Sequence, residues 1–438
     1  MPSNEDYQIR TLGPCEFDSP LLNLRHPEGR DFAFATDDER VLVRHRLSLL
    51  RDAQGRIDDL PAFELAGARR KIFFDPQKTT AAMVTCGGLC PGLNNVIRDL
   101  VMTTKLQYGV RRVIGFRYGY RGLAEKDLYV ELRHEDVKDM HELGGTILGT
   151  SRGPQDTSTM VATLQELGVD ILFTIGGDGT MKGALALGDE IRKRGLKMAV
   201  VGIPKTIDND FKFMDQSFGY TTAYSKAIDA IDSAHWEAQA CPNGIGLVKL
   251  MGRHSGFIAC AATLASNQVN FTLIPEVPFK LDGPNGFLEA LRRRFELRDH
   301  AVIVVAEGAG QDLLEGVGGE RDASGNVVLG DIGRFLAERI RDYFKTIKIE
   351  INLKYIDPSY MIRSIKASPP DSVLCTSLAV NATHAAMCGR TEIVVAQWHR
   401  ALVHVPMRLV TGERHTVNPA GPMWLSVLGT TGQPLAFY

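Results

Sequence analysis

Thr174-Ile-Gly-Gly-Asp-Gly-Thr180, followed about one helix later by Val201-Gly-Ile-Pro-Lys-Thr-Ile-Asp-Asn-Asp210, is the part of the chain on which the fold turns. Each stretch opens as a short apolar run and stops abruptly in Gly, Asp and Thr. Buried parallel strands that deliver their carboxyl ends to a ligand crevice read this way. The first loop offers Gly176, Gly177 and Gly179, whose missing side chains let backbone N–H groups approach phosphate oxygens. Asp178 is placed there to hold a divalent cation. The second loop offers Thr206, Asp208 and Asp210 beside Lys205. A phosphate cradle, a metal ligand and a spare carboxylate together point to phosphoryl transfer.

A chain of 438 residues that is 44% hydrophobic has room for two or three domains with full cores. The formal net charge of -2 gives no general attraction to nucleic acid or to an anionic membrane, so any basic site must be local. Seven cysteines, at 15, 86, 90, 241, 260, 375 and 388, are odd in number and scattered, with no zinc spacing. Reduced thiols in a cytoplasmic protein are the simplest reading. The polar start MPSNEDYQIR lacks an apolar signal core, and no segment approaches the ~20 apolar residues of a membrane span.

Residues 1–75 are rich in charge, Pro and Asp and are expected as an arm or cap with one helix near Asp37 to Leu50. The body then begins with a strand over Thr79 to Thr85, a Gly-rich turn Cys86-Gly-Gly-Leu-Cys-Pro-Gly-Leu-Asn-Asn95 and a helix through Val96, Ile97 and Leu100. A turn of this kind before a helix N-terminus suits a phosphate. A strand over Arg112 to Phe116, a loop over Arg117 to Leu123, a helix over Thr157 to Leu167 and a strand over Asp170 to Ile175 follow. Beyond Phe218 a second series starts: strands over Ile245 to Leu250, Phe271 to Ile274 and Ala301 to Ala306, with helices between. A strand near Lys348 to Leu353, a helix over Asp371 to Met387 and strands around Glu392 to Ala396 complete it, and Gly316 to Gly325 reads as an exposed loop or hairpin. The expected fold is α/β: two Rossmann-like, three-layer α/β/α domains with mainly parallel sheets, plus the N-terminal arm. A donor-binding domain would span 76–215, completed by 365–438, and a sugar-phosphate-binding domain 216–364.

Taken in order, Gly87-Gly-Leu-Cys-Pro-Gly-Leu-Asn94, Gly119-Tyr-Arg-Gly122, Gly176-Gly-Asp-Gly-Thr180, Pro204-Lys-Thr-Ile-Asp-Asn-Asp210, Met251-Gly-Arg253, Glu307-Gly308 and Tyr360-Met-Ile-Arg363 resemble the 6-phosphofructokinase family. That family has both ATP-dependent and pyrophosphate-dependent members. The stretch before residue 75 resembles the extended N-termini of its long ATP-dependent subgroup, which includes plant and trypanosomatid enzymes. The resemblance implies that Asp208 is the general base for the sugar's 1-hydroxyl, with Thr206 and Asp210 positioning nucleophile and metal and Lys205 beside them. It implies that Asp178 holds Mg²⁺ on the terminal phosphates of ATP, in a cradle of Gly87, Gly88, Tyr120, Arg152, Gly177, Gly179 and Thr180. Arg152 and Arg253 would stabilise the moving phosphoryl group, a fixed donor of this kind being worth ~3 kcal/mol. Fructose 6-phosphate would meet Thr206, Asp208, Met251, Gly252, Arg253 and Glu307, with Lys354, Tyr360 and Arg363 on its 6-phosphate. Gly244 stands where shorter bacterial relatives place an arginine from a neighbouring subunit, and Asn243 is the candidate to substitute.

Two positions bear on the donor. Pyrophosphate-dependent members carry Asp in place of Gly179, so Gly179 favours ATP; Lys205 argues the other way, and the long ATP-dependent subgroup combines the two. A homotetramer or a homodimer of the same core is implied. The competing readings are a pyrophosphate-dependent enzyme and a catalytically silent regulatory subunit. Taken singly, the glycines would serve tight turns and the two aspartates a helix cap. Asp178, Asp208, Asp210 and Arg253 are all present, which favours an active enzyme.

Overall fold

Six successive buried residues, Thr80–Thr85, form the strand around which the first sheet is built. The computed structural model describes residues 4–24, 33–48, 56, 59–125, 127–314, 320–321 and 327–438. They fall into two units.

The first unit comprises 1–206, 211–219 and 365–413. Its sheet of nine strands runs, edge to edge, Arg40–Leu42, Ala62–Leu65, Ala401–Pro406, Ile393–Trp398, Ala199–Pro204, Ile171–Gly176, Thr80–Thr85, Arg112–Phe116 and Tyr129–Glu131. From Ile393–Trp398 to Arg112–Phe116 every pairing is parallel. The flanking pairings are antiparallel. The central strands are apolar and almost wholly buried because helices such as Asp178–Lys193 and Pro369–Met387 pack on them. After Thr80–Thr85 the chain pairs on one side with Arg112–Phe116, then on the other with Ile171–Gly176. Such a reversal of strand order is where open α/β sheets place a ligand crevice, here at the carboxyl ends of Thr80–Thr85 and Ile171–Gly176.

The second unit comprises 207–210, 220–364 and 414–438. Its four strands are ordered Phe271–Leu273, His300–Ala306, Gly244–Leu250 and Asn352–Ile356, all parallel. Helix Tyr220–Gln239 packs against Gly244–Leu250. Helix Ile332–Thr346 starts where the Asp331 side chain accepts the Arg334 N–H. Phe271, Phe287, Leu291, Ile303, Leu336 and Phe437 share its core.

Both units are α/β layers, as expected, the second sheet wholly parallel and the first parallel at its centre with antiparallel margins, and several details differ. The helix expected near Asp37 to Leu50 does not run through that span: Arg40–Leu42 is a strand paired with Ala62–Leu65, Leu47 and Ser48 alone are helical among the described residues there, and 49–50 lie outside them. The first 75 residues lend these two strands to the sheet edge, and Arg10–Thr11 pairs with Arg390–Thr391. Tyr120–Ala124, expected within a loop, is a short helix. The strand expected near Lys348 lies at Asn352–Ile356, because Lys348 sits at φ 56°, which no strand accommodates. Residues 414–438, expected with the first domain, belong to the second unit, where Gln433 bonds both the N–H and the carbonyl of Thr272. The loop expected over Gly316 to Gly325 falls largely outside the described residues.

Candidate active site

Register explains why the donor-side loops of the first unit meet. Gly176 pairs with Pro204 and Ile175 with Thr85, so the three strands end level and their loops emerge side by side. The Lys205 N–H donates to the Gly176 carbonyl at 2.9 Å. The Lys205 side chain is 6% exposed as a residue, and its Nζ donates 2.5 Å to the Gly88 carbonyl. Gly87 donates its N–H to Ser151 and accepts from the Thr150 hydroxyl at 2.6 Å, which places exposed Arg152 directly after the turn's support. Gly92 begins helix Leu93–Met102 at φ 103°, and a Cβ there would lie 2.6 Å from Cys375 Sγ. Only glycine meets both demands.

Asp178 is the first residue of helix Asp178–Lys193, where a carboxylate also complements the helix dipole. Lys182, one turn on, donates 2.7 Å to Oδ2, and the Gly412 N–H donates 3.3 Å to Oδ1. Gly177 precedes the helix, and a Cβ added at Gly179 would meet no described atom within 4 Å. Tyr120 is buried and spends its hydroxyl on the Thr180 carbonyl at 2.7 Å. In this structure it props the Gly177–Thr180 turn from within. The Thr206 carbonyl accepts from Ser217 Oγ at 2.6 Å.

In the second unit, Leu250 pairs with Ala306, so the loops beginning at Met251 and Glu307 leave adjacent strands at the same height. The Gly308 N–H donates to the Gly252 carbonyl at 3.1 Å and ties them. Asp208 joins this pair: its Oδ2 accepts from Arg253 N–H at 3.3 Å, and its carbonyl from Ser255 Oγ at 2.9 Å. Burial, then the neighbouring Asp210 and Glu307 charges, push the Asp208 carboxyl up to about 8, against the Arg253 N–H and Arg414. Burial likewise raises Glu307, opposed by Arg253, Lys249 and Arg363. Asp210 is 4% exposed and ion-paired with Arg414. The Arg253 side chain itself donates 2.6 Å to the Val327 carbonyl.

The sugar-phosphate candidates have different neighbours. Arg363 lies near enough to act on Glu307, and its guanidinium stands 4.6 Å from the ring centre of exposed Tyr360. Lys354 sits mid-strand opposite Gly246, and its ammonium is 4.0 Å from Glu237. Asn243 donates to the Glu350 carbonyl at 3.0 Å, and a Cβ at Gly244 would collide with the Ala238 carbonyl. Gly412, Arg414, Ser255 and Glu276 were not singled out from sequence. Their partners lie elsewhere along the chain, Ser255 reaching Asp208 from 47 residues away, and no spacing rule links Arg414 to Asp210. Lys182, at i+4 from Asp178, carries a signal that helix geometry supplies.

A family profile described as phosphofructokinase matches residues 80–386. A protein of Amycolatopsis methanolica named ATP-dependent 6-phosphofructokinase is 51% identical over 441 residues, covering 99% of this chain and 96% of that one. One of the same name from Trypanosoma cruzi is 46% identical, covering 88% of this chain and 81% of its own length. The structure of a pyrophosphate-dependent phosphofructokinase from Marinobacter aquaeolei superposes with TM-score 0.66, over 82% of this chain and 93% of that one. At 17% identity it shows the fold alone. With the profile match and half identity over nearly the full length, this chain belongs to the phosphofructokinase family.

Proposed function

We propose that this chain is an ATP-dependent 6-phosphofructokinase, moving the γ-phosphoryl group of MgATP to the 1-hydroxyl of fructose 6-phosphate in glycolysis. Fructose 1,6-bisphosphate and ADP are the products. The observation that carries the reading is Asp208, a carboxylate held by the Arg253 N–H and raised to about 8 by burial and by Asp210 and Glu307. A primary alcohol needs a base to begin removing its proton, and a base poised near the working pH does so best. Asp208 takes that proton, Glu307 accepts sugar hydroxyls, and Arg363 with Tyr360 receives the 6-phosphate. Arg253 and Arg152 stabilise the charge of the moving group.

Asp178, with a carboxylate partly exposed at a helix start, fits a Mg²⁺ that takes one protein carboxylate and fills its shell with phosphate oxygens and water. No group of three or more metal-ligating side chains occurs among the described residues, so a dedicated protein cage is not the alternative. Bound at Asp178, Mg²⁺ would neutralise charge on the donor's terminal phosphates. Gly87, Gly88 and Gly177 offer backbone approach to those phosphates. The unfilled space beside Gly179 suits the α-phosphate of a nucleotide. No helix among the described residues is long and apolar enough to cross a membrane. A homotetramer or homodimer in the cytoplasm is the assembly we propose.

Buried Lys205 on the Gly88 carbonyl favours the second reading, a pyrophosphate donor. A coupled assay of fructose 1,6-bisphosphate formation with ATP and with pyrophosphate decides between them. ATP is expected to turn over faster; faster pyrophosphate turnover in the unmodified chain overturns the donor assignment. Gly179→Asp is expected to fold normally, since its side chain meets open space, and to lose ATP turnover about tenfold or more through repulsion of the α-phosphate. Asp208→Ser tests the base: a rate within tenfold of the parent removes Asp208 from that role.

A further inference from the structure

Residues 414–417 fasten themselves within the second unit to the loop that carries the two aspartates. The Arg414 guanidinium pairs with the Asp210 carboxylate. The next N–H, of His415, donates 2.8 Å to the Asp210 carbonyl. The His415 ring lies 4.7 Å from that of Phe257, and the Val417 N–H donates 2.7 Å to Glu276 Oε1. Glu276 also accepts the Gly256 N–H, at 2.9 and 3.1 Å. Gly256 closes the loop whose Arg253 N–H reaches Asp208. Side chain and backbone of the same aspartate are thus held by consecutive residues of one segment.

We propose that Arg414 is a positioning residue of the phosphoryl-transfer site, fixing Asp210 and offsetting its charge beside Asp208 without itself meeting substrate. The inference rests on the reading of Asp208 as the base. Asp208 faces Asp210 and Glu307 as like charges and Arg414 as the opposing one. A buried Asp210 carboxylate left without its cation would be driven to shift its loop, and that shift moves Asp208. A guanidinium suits the task because its planar fork fixes direction as well as charge, whereas lysine keeps only the charge.

The test compares Arg414→Met, Arg414→Lys, Asp210→Asn and the double variant Asp210→Asn with Arg414→Met in the full chain. Each is assayed for kcat and for KM of ATP and fructose 6-phosphate, and folding is checked by thermal melting. Arg414→Met is expected to lower kcat tenfold to a hundredfold with both KM values within threefold. Arg414→Lys should recover kcat to within fivefold of the parent. The double variant should fall no more than about twofold below Asp210→Asn, since Arg414 acts through Asp210. Three results would overturn the proposal: kcat of Arg414→Met within threefold of the parent, Arg414→Lys as impaired as Arg414→Met, or losses in the double variant that multiply. If Arg414→Met fails to fold, the lysine variant and the Asp210→Asn background still decide. A parent chain inactive with every donor overturns the functional reading and this inference together. An active parent with a dead Asp208→Ser and an indifferent Arg414→Met overturns this inference alone.

Discussion

Asp208 shows how one residue can be costly to the fold and useful to the chemistry. Its folded carboxyl holds a proton up to about 8, while an unfolded aspartate releases one near 4. Folding therefore takes up a proton between those values. The contribution is fully present below about 4 and is lost as pH rises through 8. In the role proposed for Asp208, activity runs the opposite way, because only the ionised form accepts the hydroxyl proton. The acidic limb of kcat/KM is expected to rise tenfold per pH unit and level near pH 8; a limb levelling near pH 5 would contradict the environment described. Asp208→Asn should lower kcat by about 10²–10⁴. At pH 9 it should also gain stability on the order of 1 kcal/mol or more, and at pH 4 almost nothing, as read by melting at the two pH values. That Asp208 is the candidate base was legible from the Thr206–Asp210 run. The size of its shift was not, because Glu307 and Arg414 reach it from about 100 and 200 residues away in sequence.

Elements that are buried on both faces wrote themselves plainly into the sequence. Thr80–Thr85, Arg112–Phe116 and Ile171–Gly176 end in glycine or turn residues and came within one residue of their expected bounds. The antiparallel margins did not: Ala62–Leu65 pairs with Ala401–Pro406 far away in the chain, and the hairpin that joins Ala401–Pro406 to Ile393–Trp398 turns through His399 and Arg400, both at positive φ, without the glycine or asparagine that marks such a turn in sequence. Glu64, on one of these strands, is 6% exposed and accepts from His404 Nδ1 at 2.9 Å and Arg390 Nε at 3.1 Å. Burial would raise its carboxyl, yet His404 and Arg390 outweigh it and hold the group at about 2. Glu64→Gln is expected to destabilise by about 3–5 kcal/mol at neutral pH, since it leaves buried Arg390 undercompensated. That penalty should shrink as pH falls from about 4 toward 2, where the parent Glu64 is itself protonated; equal penalties at pH 7 and pH 2.5 would speak against the pairing. The glycine that opens Gly244–Leu250 is equally demanding. Gly244→Arg, which would restore the residue type of shorter relatives, should cost about 1–3 kcal/mol because its Cβ meets the Ala238 carbonyl.

At the scale of the whole chain, the division into two series of strands and helices could be read from sequence, while the path between them could not. The chain passes from one unit to the other at 206/207, 210/211, 219/220, 364/365 and 413/414. Apolar periodicity marks elements but is silent on which sheet a short loop joins, and four residues, 207–210, belong to a different unit from those on either side. A fragment ending at residue 219 would leave Ala199–Pro204 without its parallel neighbour Ile393–Trp398. It should therefore aggregate and lack near-ultraviolet circular dichroism, an outcome that size-exclusion chromatography checks directly.

For protein engineers this threading forbids the cut-and-paste route to a hybrid. No single splice junction can transplant one lobe from a cousin with another donor preference, because the graft would sever the quartet that bears Asp208 from its own lobe. Altered specificity in this scaffold must come from exchanging side chains in place.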